Sequence, residues 1–341
     1  MDGPLCIVNS GEAAKSWTSL SSILEFLLKH HADQQSVLVV VGGGALSDVG
    51  GLAASLFKRG IRWVSVPTTL LAMVDAAWGG KTAINFGGVK NSVGVYHWPV
   101  HWIYDQAMLQ SLNERQRFDG WAEILKHAII GDSGLFQEIQ AFWSSQHEKG
   151  QVPIGLLPLP TQDLIECALQ VKIRIVQQDP NERNLRCLLN YGHTLAHALE
   201  SSSPHYSHGQ AVWLGMLFEL QLASHSNLIA EDEALRILEI LRAFAPYSGL
   251  LRHSTELIDI PTNDTPRGRG AIQTLSPMTG LFTNLPDWKT IWNFMLQDKK
   301  TRSGKLTWAL PAKVGLGQTG VQIPNDKVMD LYKIWSSNPL I

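Results

Sequence analysis

The chain has 341 residues, of which 45% are hydrophobic and only 17% charged, and its formal net charge is −2. That length exceeds one ordinary core and predicts two domains, while the apolar fraction excludes a disordered chain. Near-neutrality leaves no electrostatic footprint for nucleic acid or an acidic membrane surface, so the expected partner is a small molecule.

Cys6, Cys167 and Cys187 are few, scattered and odd in number, which excludes a disulfide framework and fits a reducing compartment. The first residues lack a basic stretch followed by an apolar core, and runs such as Val37 to Val41 are too short to cross a bilayer. A soluble, cytoplasmic protein is expected.

Behind Gly11-Glu12-Ala13-Ala14-Lys15-Ser16, an amphipathic helix is predicted from Ser16 to His31, with Trp17, Leu20, Ile23, Leu24 and Leu27 on one face. Ser36 to Val41 then reads as a strand covered on both faces in a parallel sheet, because its β-branched run has no polar alternation. It ends in Gly42-Gly43-Gly44-Ala45-Leu46-Ser47-Asp48, and Val49 to Lys58 reads as a helix. Strand, glycine turn and helix let bare backbone approach a pyrophosphate, although the spacing is not the strict dinucleotide fingerprint. A tight turn needing positive φ explains the glycines equally well. After Arg59-Gly60 a second buried strand, Ile61 to Val66, leads to Pro67-Thr68-Thr69, hydroxyls at a strand end where an open α/β sheet binds its ligand. Asp75, Gly79-Gly80-Lys81-Thr82 and Lys90-Asn91 follow. They put two lysines, an asparagine and glycines in one short segment suited to an anionic group, without the triphosphatase loop spacing. Solvated surface lysines are the bland alternative.

Beyond Ile103-Tyr104-Asp105 the pattern turns helical, which places a domain boundary near Leu112 and divides the chain into 1–112 and 113–341. A helix over Phe118 to His127 sets Glu123 and Lys126 three apart on one face, either as an ion pair or, in so apolar a helix, as a metal carboxylate with its neighbour. Val152 to Pro160 is a proline-rich connection, and a helix from Thr161 carries Lys172 and Arg174 before Asp179-Pro180-Asn181-Glu182 breaks it. Helices are also predicted over Val212 to Ser224 and Glu231 to Phe244, a surface insertion over Pro261 to Pro286, and a strand over Lys305 to Leu310 after Asp298-Lys299-Lys300.

The stretch Leu189 to Glu200 (LNYGHTLAHALE), followed by Ser207-His208-Gly209, carries the most chemistry. Helical spacing puts His193 and His197 on one face. With a third imidazole from the following loop and a carboxylate from elsewhere, they would form a divalent-metal site with open coordination positions; hydrogen-bonded helix histidines give the same pattern.

Together, GGGALSD (42–48), RGIRWVSVPTTLLAMVDAAWGGKTAIN (59–85), GVKNSVG (88–94), GWAEILKH (120–127), DPNERNLRCLLNYGHTLAHALE (179–200), HGQAV (208–212) and DKK (298–300) resemble the 3-dehydroquinate synthases, sugar-phosphate cyclases of the shikimate pathway. The resemblance implies an α/β protein: a Rossmann-like NAD-binding domain followed by a mainly helical metal-binding domain, with the active site in the cleft between them. It also implies conversion of 3-deoxy-D-arabino-heptulosonate 7-phosphate to 3-dehydroquinate and phosphate, with NAD oxidising and later reducing the substrate so that no net redox occurs.

By the same resemblance, Glu123, His193 and His208 hold zinc or cobalt, and His197 is a substrate contact rather than a ligand. Lys81, Asn91, His197 and a lysine of Lys299-Lys300 hold the phosphate, with Arg59 reaching across a homodimer interface. Lys172, Arg186 and Asn190 meet the substrate carboxylate and hydroxyls, where arginine can make a two-pronged hydrogen bond, and Asp75 and Lys126 meet further hydroxyls. Gly43, Gly44, Asp48, Thr68, Thr69 and Lys90 contact NAD, joined by Glu12, Lys15 and Lys81.

The sequence departs from the family pattern in three places. The strands the family carries ahead of Gly11-Glu12 are not in this chain, so the Rossmann-like domain is expected to lack its first strands; Ser47 replaces a glycine, and Gln210 a glutamate. Three rival functions follow. Another sugar-phosphate cyclase, such as a 2-deoxy-scyllo-inosose or valiolone synthase, would not need Lys172, Arg186, Asn190 and His197 together. A metal-dependent polyol dehydrogenase would accumulate NADH, and an inactive truncated paralogue would only bind.

Overall fold

The computed structural model describes residues 3–148, 156–250, 285–297 and 306–337. Lys299, Lys300, Lys305 and 261–284 lie outside the described residues. The chain divides into two compact units, 1–120 and 121–341. None of the three cysteines is in a disulfide, and no helix among the described residues is long and apolar enough to cross a membrane.

The first unit opens with helix α1 (Trp17–Lys29), whose N-terminus is capped by the Ser16 hydroxyl accepting from Ser19 N–H. Strand β1 (Val37–Gly42), helix α2 (Gly44–Leu56) and strand β2 (Arg62–Pro67) follow as one βαβ unit, with β1 and β2 parallel and Gly42 opposite Pro67. Val40, Leu52, Ala53, Trp63 and α1's Leu20, Ile23 and Leu27 make the core of this unit. Only that face of β1 is covered. Val37, Val39 and Val41 are 43%, 41% and 48% exposed, which corrects the expectation of a strand buried on both sides. An unalternating valine run reports β propensity and not the number of covered faces. Helix α2 begins at Gly44, five residues ahead of the predicted start, so Gly43 is its N-cap and Gly44 its first residue, while Gly42 ends β1.

Strands β3 (Lys81–Phe86) and β4 (Val89–Tyr96) form an antiparallel hairpin that the periodicity does not predict, since every residue of β4 is exposed. The local signal was Gly87-Gly88, both at positive φ (62° and 79°), which is the two-residue connection that matches the twist of paired strands. A short strand β5 (His101–Trp102) completes the parallel order β1-β2-β5.

Helix α3 (Glu114–Gly131) runs through the division between units, and the second unit continues with α4 (Ser133–Glu148), α5 (Gln162–Gln178), α6 (His193–Ser202), α7 (His208–His225), α8 (Glu231–Ala243) and α9 (Trp288–Gln297). A hairpin of β6 (Trp308–Lys313) and β7 (Leu316–Val321) and a helix α10 (Asn325–Ser337) close it. The predicted last strand is thus displaced to 308–313. Helix α7 is buried almost throughout, from Gly209 to Ala223, with Trp213 and Phe218 fully enclosed. It packs on α6 at backbone contact: a Cβ on Gly215 would lie 1.8 Å from the Gly192 carbonyl oxygen.

That contact has no side-chain slack to absorb a methyl group. Gly215→Ala should therefore destabilise the chain by ~2 kcal/mol or more, as overpacking of a tight interior does, whereas Gly3→Ala, with nothing within 4 Å, should leave it unchanged. Urea unfolding of the two variants measures the difference.

Candidate active site

In the helical unit, Glu123 stands in the middle of α3 with no exposed surface. Its Oε1 faces Nε2 of His208 at 3.1 Å and Nε2 of His193 at 3.4 Å, while Lys126 Nζ pairs with Oε2 from the next turn of the same helix. One carboxylate oxygen and two imidazole nitrogens lie within 4.8 Å of one another. Such a mixed oxygen and nitrogen donor set suits zinc or cobalt and leaves coordination positions for a substrate, so the residues fit a divalent cation.

Both histidines are the first residues of their helices. His208 opens α7 and does not belong to a loop, as its sequence position suggested; Ser207 accepts from Gln210 N–H, and Gln210 Oε1 accepts from Ser207 N–H at 2.7 Å, a reciprocal capping box. Gln210 Nε2 also donates to the Ser248 carbonyl at 2.6 Å, a bond that a glutamate could not make. The α6 N-terminus is held differently. Its N-cap, Gly192, sits at φ +79° and has no side chain, and the Gly192 and Thr194 N–H groups donate to the carboxylate of Glu219 at 2.7 and 3.3 Å. Glu219 projects from α7 and is fully buried.

His193 Nδ1 lies 3.1 Å from the Tyr191 carbonyl, which turns Nε2 towards Glu123. His197 stands beside this ring at right angles, 5.5 Å between centroids, as a neighbour of the cluster and not a member of it. Burial, then the nearby Lys126, hold His193 well below the ordinary imidazole range. For His208 burial also opposes the charged form, but hydrogen bonds to Glu123 and Glu200 outweigh it and raise the group well above that range.

The turn before α6 carries the residues expected at the substrate. Lys172 on α5 is 6% exposed and Arg186 is 3% exposed. The Asp179 carboxylate accepts from the N–H groups of Arg183, Asn184 and Arg186 at 3.0, 2.7 and 3.1 Å, while the Arg186 guanidinium donates to the Pro180 carbonyl at 2.8 Å. Asn190 donates to Glu182 at 3.1 Å. Asp179, Glu182, Glu200 and Glu219 were given no role from sequence. The available signal was clearest for Glu219, a lone acid inside the apolar run Val212 to Leu222.

In the first unit, Gly43, Thr68 and Thr69 meet at the ends of β1 and β2: Thr68 N–H donates to the Gly42 carbonyl at 2.9 Å, and a Cβ on Gly43 would lie 3.2 Å from Thr69 Cγ2. Gly43 has φ −76°, so positive φ is not the reason for the glycine. Gly44 is held to hydrogen by Ala76, 2.7 Å from where its Cβ would stand. Lys15 pairs with Asp48 and donates to Asn91, and Glu12 accepts from Asn85 at 2.7 Å, so Lys15, Asp48 and Asn91 form one polar cluster. Lys81 starts β3 opposite Tyr96 while Lys90 lies beside the Gly87-Gly88 turn, about 17 Å of strand away at ~3.4 Å per residue. Asp75 lies in a short π-helical turn, Ala72–Ala76, and Arg59 follows Lys58 in a turn where both have positive φ (68° and 48°).

Two family profiles match the chain: 3-dehydroquinate synthase N-terminal over residues 5–119 and 3-dehydroquinate synthase C-terminal over 120–266. The 3-dehydroquinate synthase of Cereibacter sphaeroides is 33% identical over 323 residues, 94% of this chain and 77% of the relative. Among solved structures, 2-epi-5-epi-valiolone synthase from Streptomyces hygroscopicus with NAD+ and Zn2+ bound aligns with a TM-score of 0.75 at 26% identity, covering 98% of this chain and 83% of that one. A 2-deoxy-scyllo-inosose synthase complexed with carbaglucose-6-phosphate, NAD+ and Co2+ aligns with a TM-score of 0.70 at 23% identity, over 95% and 80% of the two chains, a likeness of fold.

Two outcomes are expected from these contacts. Glu219→Ala removes the acceptor of two backbone donors inside the core, and should cost about 2 to 4 kcal/mol of unfolding free energy, read by urea titration. Asp179 is held below its ordinary carboxylate pKa by the backbone N–H groups of Arg183 and Asn184, then that of Arg186. A lowered pKa contributes stability that is present above the unfolded value of 3.8 and lost as the pH falls through the lower folded value. Protection of the Asn184 amide relative to its intrinsic exchange rate should therefore be lost across that acid window, and Asp179→Ala should already lack it at neutral pH.

Proposed function

The chain belongs to the 3-dehydroquinate synthase family, and we propose that it converts 3-deoxy-D-arabino-heptulosonate 7-phosphate to 3-dehydroquinate and inorganic phosphate. It is thus a phosphate-eliminating carbon–oxygen lyase of aromatic amino-acid biosynthesis. The observation that carries this reading is the convergence of Glu123, His193 and His208 within 4.8 Å in a chain that matches the family along most of its length. When bound, NAD supplies a hydride acceptor regenerated within each turnover, and zinc or cobalt a Lewis acid for the reacting oxygen.

Glu123 Oε1 and Nε2 of His193 and His208 would hold the ion. Lys126, paired with the other oxygen of Glu123, holds that carboxylate in place and, with Asp75, offers contacts to substrate hydroxyls. Lys172, Arg186 and Asn190 would orient the substrate carboxylate and its neighbouring hydroxyls. The presence of Lys172, Arg186, Asn190 and His197 together supports an acidic sugar, because such side chains can meet a carboxylate. Lys81, Asn91, His197 and one of Lys299 and Lys300 would take the phosphate, with Arg59 contributed across a homodimer interface.

NAD would lie on Gly43, Gly44, Asp48, Thr68, Thr69 and Lys90, with Glu12, Lys15 and Lys81, in a Rossmann-like domain ending near Leu112. Support comes from the α2 N-terminus, which follows the end of β1 directly and has no side-chain cap of its own, as an anion site at a helix start requires. Residues 113–341 would hold the metal and most substrate contacts. Cysteines outside any disulfide fit action in the cytoplasm.

Purified protein with NAD and Zn2+ should release phosphate from the heptulosonate phosphate without accumulating NADH, and a chelator should stop release until Zn2+ or Co2+ is restored. NADH formed in step with phosphate would overturn the reading, as would full activity in chelator. Equal kcat/KM on an analogue lacking the carboxylate would instead place the chain with the cyclases of neutral sugars. His208→Ala should lower kcat/KM by roughly 10³-fold, the loss of several kcal/mol of charge stabilisation. Arg186→Lys should raise KM roughly tenfold with a smaller change in kcat, because the two-pronged carboxylate contact is lost.

A further inference from the structure

We infer that Glu200 is a positioning residue for His208, setting the tautomer and direction of that ring; the inference rests on the reading of Glu123, His193 and His208 as the metal ligands. On α6, residues 193, 197 and 200 fall on one face at helical spacing. The first faces Glu123, the second stands against the first, and the third reaches the start of α7, where Glu200 Oε1 lies 3.4 Å from His208 Nδ1.

A neutral imidazole has one N–H and one lone pair. In the neutral form that would bind a metal, an Nδ1–H directed at Glu200 leaves the lone pair on Nε2, the atom that faces Glu123 Oε1 at 3.1 Å. The two imidazoles need different degrees of restraint. His193 has a side chain 11% exposed and a backbone carbonyl behind its Nδ1, whereas the His208 side chain is 29% exposed and stands at a helix terminus. Packing alone leaves that ring freer to rotate. Glu200, only 13% exposed, is an anion placed where rotation would break its contact. A carboxylate behind a ligating imidazole also raises its basicity, so loss of that partner typically costs 10–100-fold in metal affinity. One helix therefore supplies a ligand, its neighbour and the brace of the opposite ligand.

The test is a Co2+ titration of the full-length, metal-stripped chain against a chromophoric chelator, with the Co2+ d–d absorption recorded at saturation. Glu200→Ala should weaken Co2+ binding by about 10–100-fold and shift the band, while thermal unfolding of the metal-free variant stays at that of the unaltered chain. Glu200→Gln keeps an acceptor of the same shape but not the charge, and should fall between the two in affinity and band position. Affinity within twofold of the unaltered chain for Glu200→Ala overturns the inference; should that variant not fold, Glu200→Gln matching the unaltered chain in both readouts does so. His208→Ala separates the two levels of the argument. If it binds Co2+ as tightly as the unaltered chain, the ligand set itself is wrong and the role of Glu200 falls with it; if it loses binding while both Glu200 variants retain it, only the brace is wrong.

Discussion

The Glu123 carboxylate is the interaction on which the helical unit depends. A wholly buried anion costs several kcal/mol unless cations and donors surround it, and three groups do so here: Lys126 on one oxygen, His193 and His208 on the other. The two imidazoles around this anion are shifted in opposite directions: burial, then Lys126, lowers the pKa of His193 although Glu123 opposes this, whereas hydrogen bonds to Glu123 and Glu200 raise that of His208 against its burial.

Both imidazoles sit at helix N-termini, where the backbone is itself partly positive and opposes a cation. The helices offset this in different ways. At α6 the offset is Glu219, whose carboxylate accepts the N–H groups of Gly192 and Thr194; at α7 the Ser207 and Gln210 side chains satisfy the first turn without charge. The backbone contact between Gly192 and Gly215 locks α6 on α7, so the two ligands are fixed relative to each other before either meets Glu123. The price of that rigidity is two positions that tolerate no side chain.

What the sequence made legible follows the range of the forces involved. Helix α1 could be read from its apolar spacing, and the Glu123, His193 and His208 set from a resemblance, because both are written in local patterns. Features decided by the other side of a contact were not. The exposed valines of β1 carry the same composition as buried ones, and β4 shows no alternation because both its faces are exposed. Two local signals were present but unused: Gly87-Gly88 marked the hairpin, and Ser207 with Gln210 three residues later marked a capping box that makes His208 a helix residue. Glu219 stood out as a lone acid in an apolar run, yet its partners lie 25 and 27 residues back and only the folded chain pairs them.

The glycine turn of the first unit shows how a departure from a strict fingerprint can keep the same physics. Neither Gly43 nor Gly44 needs positive φ. They are small because α2 begins in contact with Thr69 and Ala76, so that its first turn lies against the C-terminal ends of β1 and β2. A larger residue at either position would push the start of the helix off the strands, away from the place where an open parallel sheet binds a pyrophosphate. The Lys15–Asp48 pair has the complementary effect at the same helix. It balances the acid of α2 with a cation from the segment ahead of α1, so that the helix start does not repel an anionic cofactor. Close packing and local charge balance, more than the spacing of the glycines, are what shape this turn.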